Sequence, residues 1–311
     1  MDNKKTRVLV LGGFGFIGKH LVRQLAQSGH SVTVFGHASH EARELEGKGV
    51  HHCYGDFANA RELDAALRGI DVVFHLIGNT VPQSSNDNPR FDVDAHVGPT
   101  LTLLDLCVRH KVKQVVFTSS GGAVFGIPAY LPIDEKHPTV PISSYGIQKI
   151  TIEHYLRLYH RLHGLRATVL RIANPYGPGQ GIGRNQGLVG MVCTKIKCHE
   201  TLEIWGDGSV VRDYIHISDV VTAMEKIILA TDGYDIYNIG TGVGTSINEV
   251  VALFTSLDHV KLAVHYKPAR PVDIPANVLD CAKFRQTFGW QPGVELAAGI
   301  KTTLESYLET R

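Results

Sequence analysis

The sequence predicts an α/β protein, a doubly wound parallel sheet with helices on both faces and a smaller mixed α/β lobe grafted onto it. Three observations carry this. Short apolar runs alternate with helix-forming stretches through the first half of the chain; the first run feeds a turn of spaced glycines; and past Asn174 the alternation gives way to short, glycine-interrupted segments.

The opening run, residues 7–11, is short enough for a buried strand and meets Gly12-Gly13-Phe14-Gly15-Phe16-Ile17-Gly18 before a helix-forming stretch over 19–27. Gly12, Gly15 and Gly18 permit a tight turn, let backbone come close to a pyrophosphate and let the helix sit against its strand. The helix N-terminus, with Phe16 and Ile17 beside it, offers unpaired N–H groups and about half a positive charge to that anion. A strand before and a helix after make this a dinucleotide cradle.

Ser28-Gly29-His30 ends the helix, and 32–35 reads as the second strand. A carboxylate about twenty residues past the glycines normally holds the adenosine ribose of NAD. Here the strand ends in Gly36-His37, so NADP stays open beside NAD, with His37 and Arg43 near enough to meet a ribose phosphate. Residues 50–54 form a third strand. Its end, Gly55-Asp56-Phe57, either offers a carboxylate to adenine and a ring to wall it, or is a plain strand-to-helix corner capped by Asp56. Residues 71–78 give a fourth strand with Leu76 near its C-terminal end, where ligands sit in such sheets. A helix over 91–110 leads to a fifth strand, 114–118, which runs into Thr118-Ser119-Ser120-Gly121-Gly122 and brings hydroxyls to the same edge. A loop with four prolines then closes at Ser143-Ser144, a good helix start.

On that helix stand Tyr145 and Lys149, four apart and so on one face. A phenol with a pKa of about 10 is a poor base, and bringing it near 7 takes about 4 kcal/mol of preference for the anion. A neighbouring ammonium and an oxidised nicotinamide supply that. Alone, the pair describes an ordinary helix face. After a glycine turn and strand-end hydroxyls, it describes a site for hydride and proton transfer.

These motifs resemble the extended short-chain dehydrogenase/reductase family, and within it the NAD-dependent nucleotide-sugar epimerases and dehydratases. The resemblance covers nearly the whole chain. Beyond the glycine turn and the Gly55-Asp56-Phe57 corner it includes Ser119 through Gly126, Tyr145 with Lys149, Arg171 through Gly179, Gly206-Asp207-Gly208, Arg212-Asp213-Tyr214-Ile215-His216 and Tyr237-Asn238-Ile239-Gly240. It implies a Rossmann-type dinucleotide-binding domain over residues 1–175, with 214–231 returning to it, and a nucleotide-sugar lobe from 176–213 and 232–311. It further implies that Tyr145 is the catalytic base, that Lys149 holds the nicotinamide ribose and depresses the tyrosine pKa, and that Ser120 bonds the reacting sugar oxygen. Asp56 and Phe57 then fix adenine. Asn174 and Arg212 hold a nucleoside diphosphate, the guanidinium pairing with phosphate as a fork, unless Arg212 is spent on a salt bridge with Asp213. Arg270 and Asp273 offer a second phosphate contact and a ribose acceptor. Asn277 stands where some relatives carry a bulky aromatic, leaving room for an N-acetylated sugar. Gly36 and His96 depart from the usual acid and Asn.

The implied activity is epimerisation at C4 of a nucleotide sugar by a tightly bound NAD, serving polysaccharide biosynthesis, in a homodimer paired through the helices near Phe91 and Tyr145. The alternative is a 4-keto-sugar reductase consuming NADPH. A 4,6-dehydratase places Asp and Glu where Gly121 and Gly122 stand here, and a non-catalytic dinucleotide sensor typically loses the Tyr145 and Lys149 pair.

Composition narrows the partners. Lys and Arg number 31 against 30 Asp and Glu, so no basic surplus draws nucleic acid or an anionic membrane. No apolar run is long enough to span a bilayer. Lys4, Lys5 and Arg7 precede an apolar segment that continues directly into the glycine turn, which reads as a cytoplasmic protein and not as a signal peptide. Five scattered cysteines fit neither a disulfide framework nor a zinc site, and the 17 histidines, His51-His52 beside Cys53 included, form no expected metal set.

Overall fold

Strand β1 (Arg7–Leu11) is buried from Val8 onward and lies between two parallel neighbours, as an apolar run without polar alternation requires. There follow α1 (Phe16–Gln27), β2 (Ser31–Gly36), β3 (Val50–Tyr54), α2 (Ala60–Ala66), β4 (Val72–His75), α3 (Pro82–Asp87), α4 (Pro89–Asp92), a π turn (Val93–Val97), α5 (Gly98–Arg109), β5 (Gln114–Ser120), α6 (Ser144–His163) and β6 (Arg166–Ile172). The remainder comprises β7 (Asn174–Tyr176), α7 (Leu188–Lys197), β8 (Leu202–Trp205), β9 (Val211–His216), α8 (Ile217–Lys226), β10 (Tyr234–Ile239), β11 (Gly244–Ser246), α9 (Ile247–Thr255), β12 (Val264–Lys267), β13 (Ala276–Asn277), α10 (Ala282–Phe288) and α11 (Leu296–Glu309). The computed structural model describes residues 5–37, 45, 47, 49–78, 82–180, 187–228, 230, 232–269 and 274–309.

Seven strands form one sheet in the order β10-β6-β5-β4-β1-β2-β3. The order reverses between β1 and β4, which opens a crevice at their C-terminal ends. There Leu76 N donates to Leu11 O at 3.0 Å. Helix α6 begins at Ser143, whose side chain accepts from Gly146 N at 3.2 Å, and ends at Gly164 in the left-handed region. A Cβ on Gly146 would lie 2.4 Å from Ala123 O. The bare glycine lets the first turn of α6 rest on the chain leaving β5, which delivers Tyr145 to the strand edge.

Two compact units emerge. The first comprises Met1–Val124, Thr139–Arg171 and Val221–Tyr237, and its core includes Leu9, Leu11, Phe35, Leu104, Phe117 and Leu156. The second comprises Phe125–Pro138, Ile172–Val220 and Asn238–Arg311; its core includes Tyr176, Val192, Ile204, Phe254 and Leu304. In its small sheet β9 pairs with β7, β11 and β13. These boundaries differ from 1–175 with 214–231 returning. The loop after β5 joins the second unit because Ile133 bridges Leu279 and Glu135 accepts from Asn238 N at 2.8 Å. The returning segment begins within α8, and the Ile227 carbonyl just past the helix end accepts from Gln114 Nε2.

Candidate active site

The glycine turn is built for close approach. Gly12 has φ +78°, a left-handed conformation, and a Cβ there would press on the Leu76 and Ile77 backbone at 3.2 Å. Gly18 is needed for space alone: its Cβ would lie 2.3 Å from Gly12 O. Gly15 is the N-cap of α1 and supplies no side chain to cap it, and the first turn carries no acid, so nothing there competes for an anion. Phe16 and Ile17 form that first turn, half-buried. A pyrophosphate fits this cradle.

Gly36 closes β2 and His37 follows it, exposed. Asp56 is exposed and accepts from Ala58 N at 2.9 Å. It is not the cap of α2; Asn59 is, its side chain accepting from Arg61 N and Glu62 N. Phe57 does not wall an open site with its ring. The ring is buried against His75, centroids 5.0 Å apart, because the corner turns that residue into the core.

At the ends of β4 and β5 three functional groups meet. Lys149 Nζ donates to Thr118 O at 3.0 Å, stands 4.7 Å over the Phe117 ring and lies 5.6 Å from the centre of the Tyr145 ring. A Cβ on Gly78 would be 3.6 Å from that ammonium. Ser120 Oγ accepts from Gly122 N at 3.3 Å and Ala123 N at 3.1 Å, which leaves its O–H to donate to the Tyr145 phenol. Burial pushes Lys149 down to about 8 and Tyr145 up to about 12, with Ser120 partly opposing the latter. In the chain by itself loss of water around the phenolate dominates and the group that favours the phenolate is the serine; the expected depression by Lys149 belongs to the site with the oxidised nicotinamide in place.

The helix carrying this pair is braced one turn later. Glu153, 4% exposed along its side chain, receives Arg171 at 2.7 Å and Ser119 Oγ at 2.5 Å. Asp92 accepts from Ser144 Oγ at 2.7 Å and from Ser85. Burial lowers the pKa of His75 and His96, so both are neutral near the Lys149 ammonium. None of these braces is announced by a local motif; Glu153, four residues past Lys149, carries the one signal present in the sequence.

In the second unit a cavity of about 250 Å³ is lined by Asn174, Gln180, Trp205, Arg212 and Tyr214 among others. Asn174 Nδ2 donates to Asp213 O at 3.0 Å, which fixes the side chain at the cavity wall. Arg212 donates to the carbonyls of Val211 and Ile274 at 2.8 Å. The Asp213 carboxylate is engaged elsewhere, by Thr241 and Gly242, so a salt bridge with Asp213 does not claim Arg212. Asn277 is buried in register with Arg212 and is not among the lining residues. Arg270 and Asp273, like Arg43, lie outside the described residues. Sequence reasoning misses Gln180 and Trp205, because an isolated aromatic or amide has no pattern to mark it, and it passes over Tyr214 inside the Arg212–His216 stretch without assigning it a role. Among the described residues no group of three or more His, Cys, Asp or Glu is arranged to hold a metal, and no helix is long and apolar enough to cross a membrane.

Known proteins resemble this chain in sequence and in fold. The chain is 34% identical over 307 residues to UDP-glucose 4-epimerase of Mycolicibacterium smegmatis, covering 97% of this chain and 98% of the relative. Its structure is similar to that of UDP-glucose 4-epimerase from Thermotoga maritima with UDP-glucose, at 34% identity and a TM-score of 0.91, covering 98% of this chain and 99% of the other. It is also similar to the Thermus thermophilus UDP-glucose 4-epimerase complex with NAD, at 31% identity, a TM-score of 0.90 and coverage of 98% and 100%. The family model described as NAD dependent epimerase/dehydratase matches residues 8–240, a stretch that holds the glycine cradle, the Tyr145–Lys149 pair and Arg212, and the chain belongs to that family.

Proposed function

We propose that this protein is a nucleotide-sugar 4-epimerase that uses NAD and acts on a UDP-hexose. The observation that carries the reading is the half-buried Tyr145 phenol, hydrogen-bonded to Ser120 beside the Lys149 ammonium, at the sheet edge where the glycine cradle also opens. Support for the cofactor comes from that cradle and from the NAD complex of the similar Thermus enzyme; support for the sugar comes from the UDP-glucose complex of the similar Thermotoga enzyme.

When bound, the nicotinamide supplies reversible two-electron chemistry, taking the C4 hydrogen with its electron pair and returning it to the other face of a 4-keto sugar. Tyr145 takes the C4 hydroxyl proton and later gives it back. With a pKa of about 12 in the chain alone, the phenol does this only as charge leaves C4 and the surrounding positive charge is realised. Ser120 orients the reacting oxygen and shares its hydrogen bond with the phenol. Lys149, fixed on Thr118 O, holds its ammonium where a ribose hydroxyl and the developing phenolate both face it. The first unit thus carries the dinucleotide, with Asp56 and Leu76 near adenine and His37 near the ribose. On this reading the second carries the UDP moiety on Asn174 and Arg212, to which the family resemblance adds Arg270 and Asp273.

We also infer a cytoplasmic homodimer feeding polysaccharide biosynthesis; Phe91 and Val93 around the π turn and Leu158 and Leu162 on α6 are apolar and exposed, which suits a helix-to-helix seam. The test is direct. Denaturing the purified chain should release NAD, and incubation with UDP-glucose should yield UDP-galactose without net change in the dinucleotide. Tyr145→Phe should lower turnover about 10²–10⁴-fold while dinucleotide binding persists. Net consumption of NADPH with no epimerised sugar would make the enzyme a reductase instead.

A further inference from the structure

The end of β2 is where a dinucleotide-binding sheet ordinarily projects an acid toward the adenosine ribose, and here Gly36 offers no side chain. The backbone does not demand a glycine, since Gly36 is not among the positive-φ glycines. What the glycine provides is room. A Cβ on Gly36 would point at the Phe14 ring, 3.3 Å from its Cδ2 and 3.7 Å from its Cε2. The space an acid at position 36 would enter is held by a phenyl ring from the tip of the glycine turn.

That ring is part of a cluster. Tyr54, at the end of β3, stacks on Phe14 with centroids 6.0 Å apart and 18° between planes. His52 meets Phe14 edge-on at 5.7 Å and its Nδ1 lies 3.2 Å from the Tyr54 hydroxyl. Three rings from the turn and β3 therefore support one another beside the bare end of β2.

We propose that Phe14, backed by Tyr54 and His52, is the residue that selects NAD over NADP in this protein, by occupying the place of a 2′-phosphate and not by repelling its charge. The inference rests on the chain being a dinucleotide enzyme and assigns its cofactor preference to residues of this chain. A 2′-phosphate needs hydrogen-bond donors or cations and room for a hydrated dianion. The aromatic face presents a negative quadrupole and displaces the water that would solvate the anion. A ribose with two free hydroxyls has no such cost, since its C–H faces pack on a ring.

Calorimetric titration of the full chain, stripped of any bound dinucleotide, with NAD and separately with NADP decides the matter. The wild type should prefer NAD by tenfold or more. Phe14→Ser should cut that preference at least tenfold, chiefly by tighter NADP binding, and Phe14→Tyr should keep it. Should Phe14→Ser fail to fold, Tyr54→Ala, at an exposed position, should cut the preference at least threefold. Wild-type affinities for the two within threefold of each other, tighter NADP binding, or an unchanged ratio in Phe14→Ser or Tyr54→Ala would overturn this assignment and leave the dinucleotide reading standing. Binding of neither dinucleotide would overturn both.

Discussion

At the scale of single residues, Lys149 and Tyr145 both lose water in the site and respond in opposite directions. Lys149 falls from its ordinary range to about 8, so the unfolded chain binds the extra proton between about pH 8 and 10.5, and folding stability from this group rises with pH across that window. Tyr145 rises to about 12, so the folded chain holds the extra proton between about pH 10 and 12, and stability from this group falls there. The two contributions place a maximum near pH 10. Lys149→Met removes the first limb: relative to wild type it should be more stable at pH 7, by at most about 3 kcal/mol, with the gain shrinking toward zero by about pH 10. Urea unfolding at several pH values checks this, and parallel pH profiles for the two proteins would contradict it. The pair is legible because a four-residue spacing is written locally. The net pKa of the phenol is not, since it depends on how much water the fold removes, a quantity that no spacing encodes.

At the scale of elements, α6 is held to β5 and β6 by one buried carboxylate. Glu153 accepts from Ser119 Oγ and from both Arg171 Nε, at 3.2 Å, and the terminal guanidinium nitrogen, at 2.7 Å. Removing the arginine leaves a charge with little solvent and one serine, so Arg171→Met should destabilise the protein by about 3–5 kcal/mol. Joining it with Glu153→Leu should cost less than the two single changes summed, as measured in a thermal or denaturant double-mutant cycle. Additive losses would mean the pair does not act as a unit. These partners stand 34 and 18 positions apart, and adjacency of β5 to β6 in the sheet is what brings them together. By contrast β1, β2, β4 and β5 are readable as short, largely apolar runs, and the Gly12–Gly18 turn as a spacing. Phe57 reads as a base wall only while its direction is unknown; a corner residue's side chain follows the turn geometry, which here aims the ring at His75.

At the scale of the whole molecule, each unit has a core of its own, one around Phe35 and Phe117 and the other around Tyr176 and Phe254. A chain so divided should tolerate a lesion in one binding function without losing the other. Gly18→Ala is such a lesion. The added methyl would sit 2.3 Å from Gly12 O and 2.6 Å from Gly13 Cα, both backbone, so the turn must open or α1 must lift from β1. Overpacking of this kind costs about 1–3 kcal/mol and moves the N–H groups that a pyrophosphate needs. Affinity for NAD should fall at least a hundredfold. Affinity for UDP, taken up by the cavity around Asn174 and Arg212, should stay within threefold of wild type. Titrating UDP and NAD separately into the same folded variant measures both. Equal losses of the two ligands would mean that the units bind as one, whereas loss of NAD alone ties the dinucleotide to the first unit and the nucleotide sugar to the second.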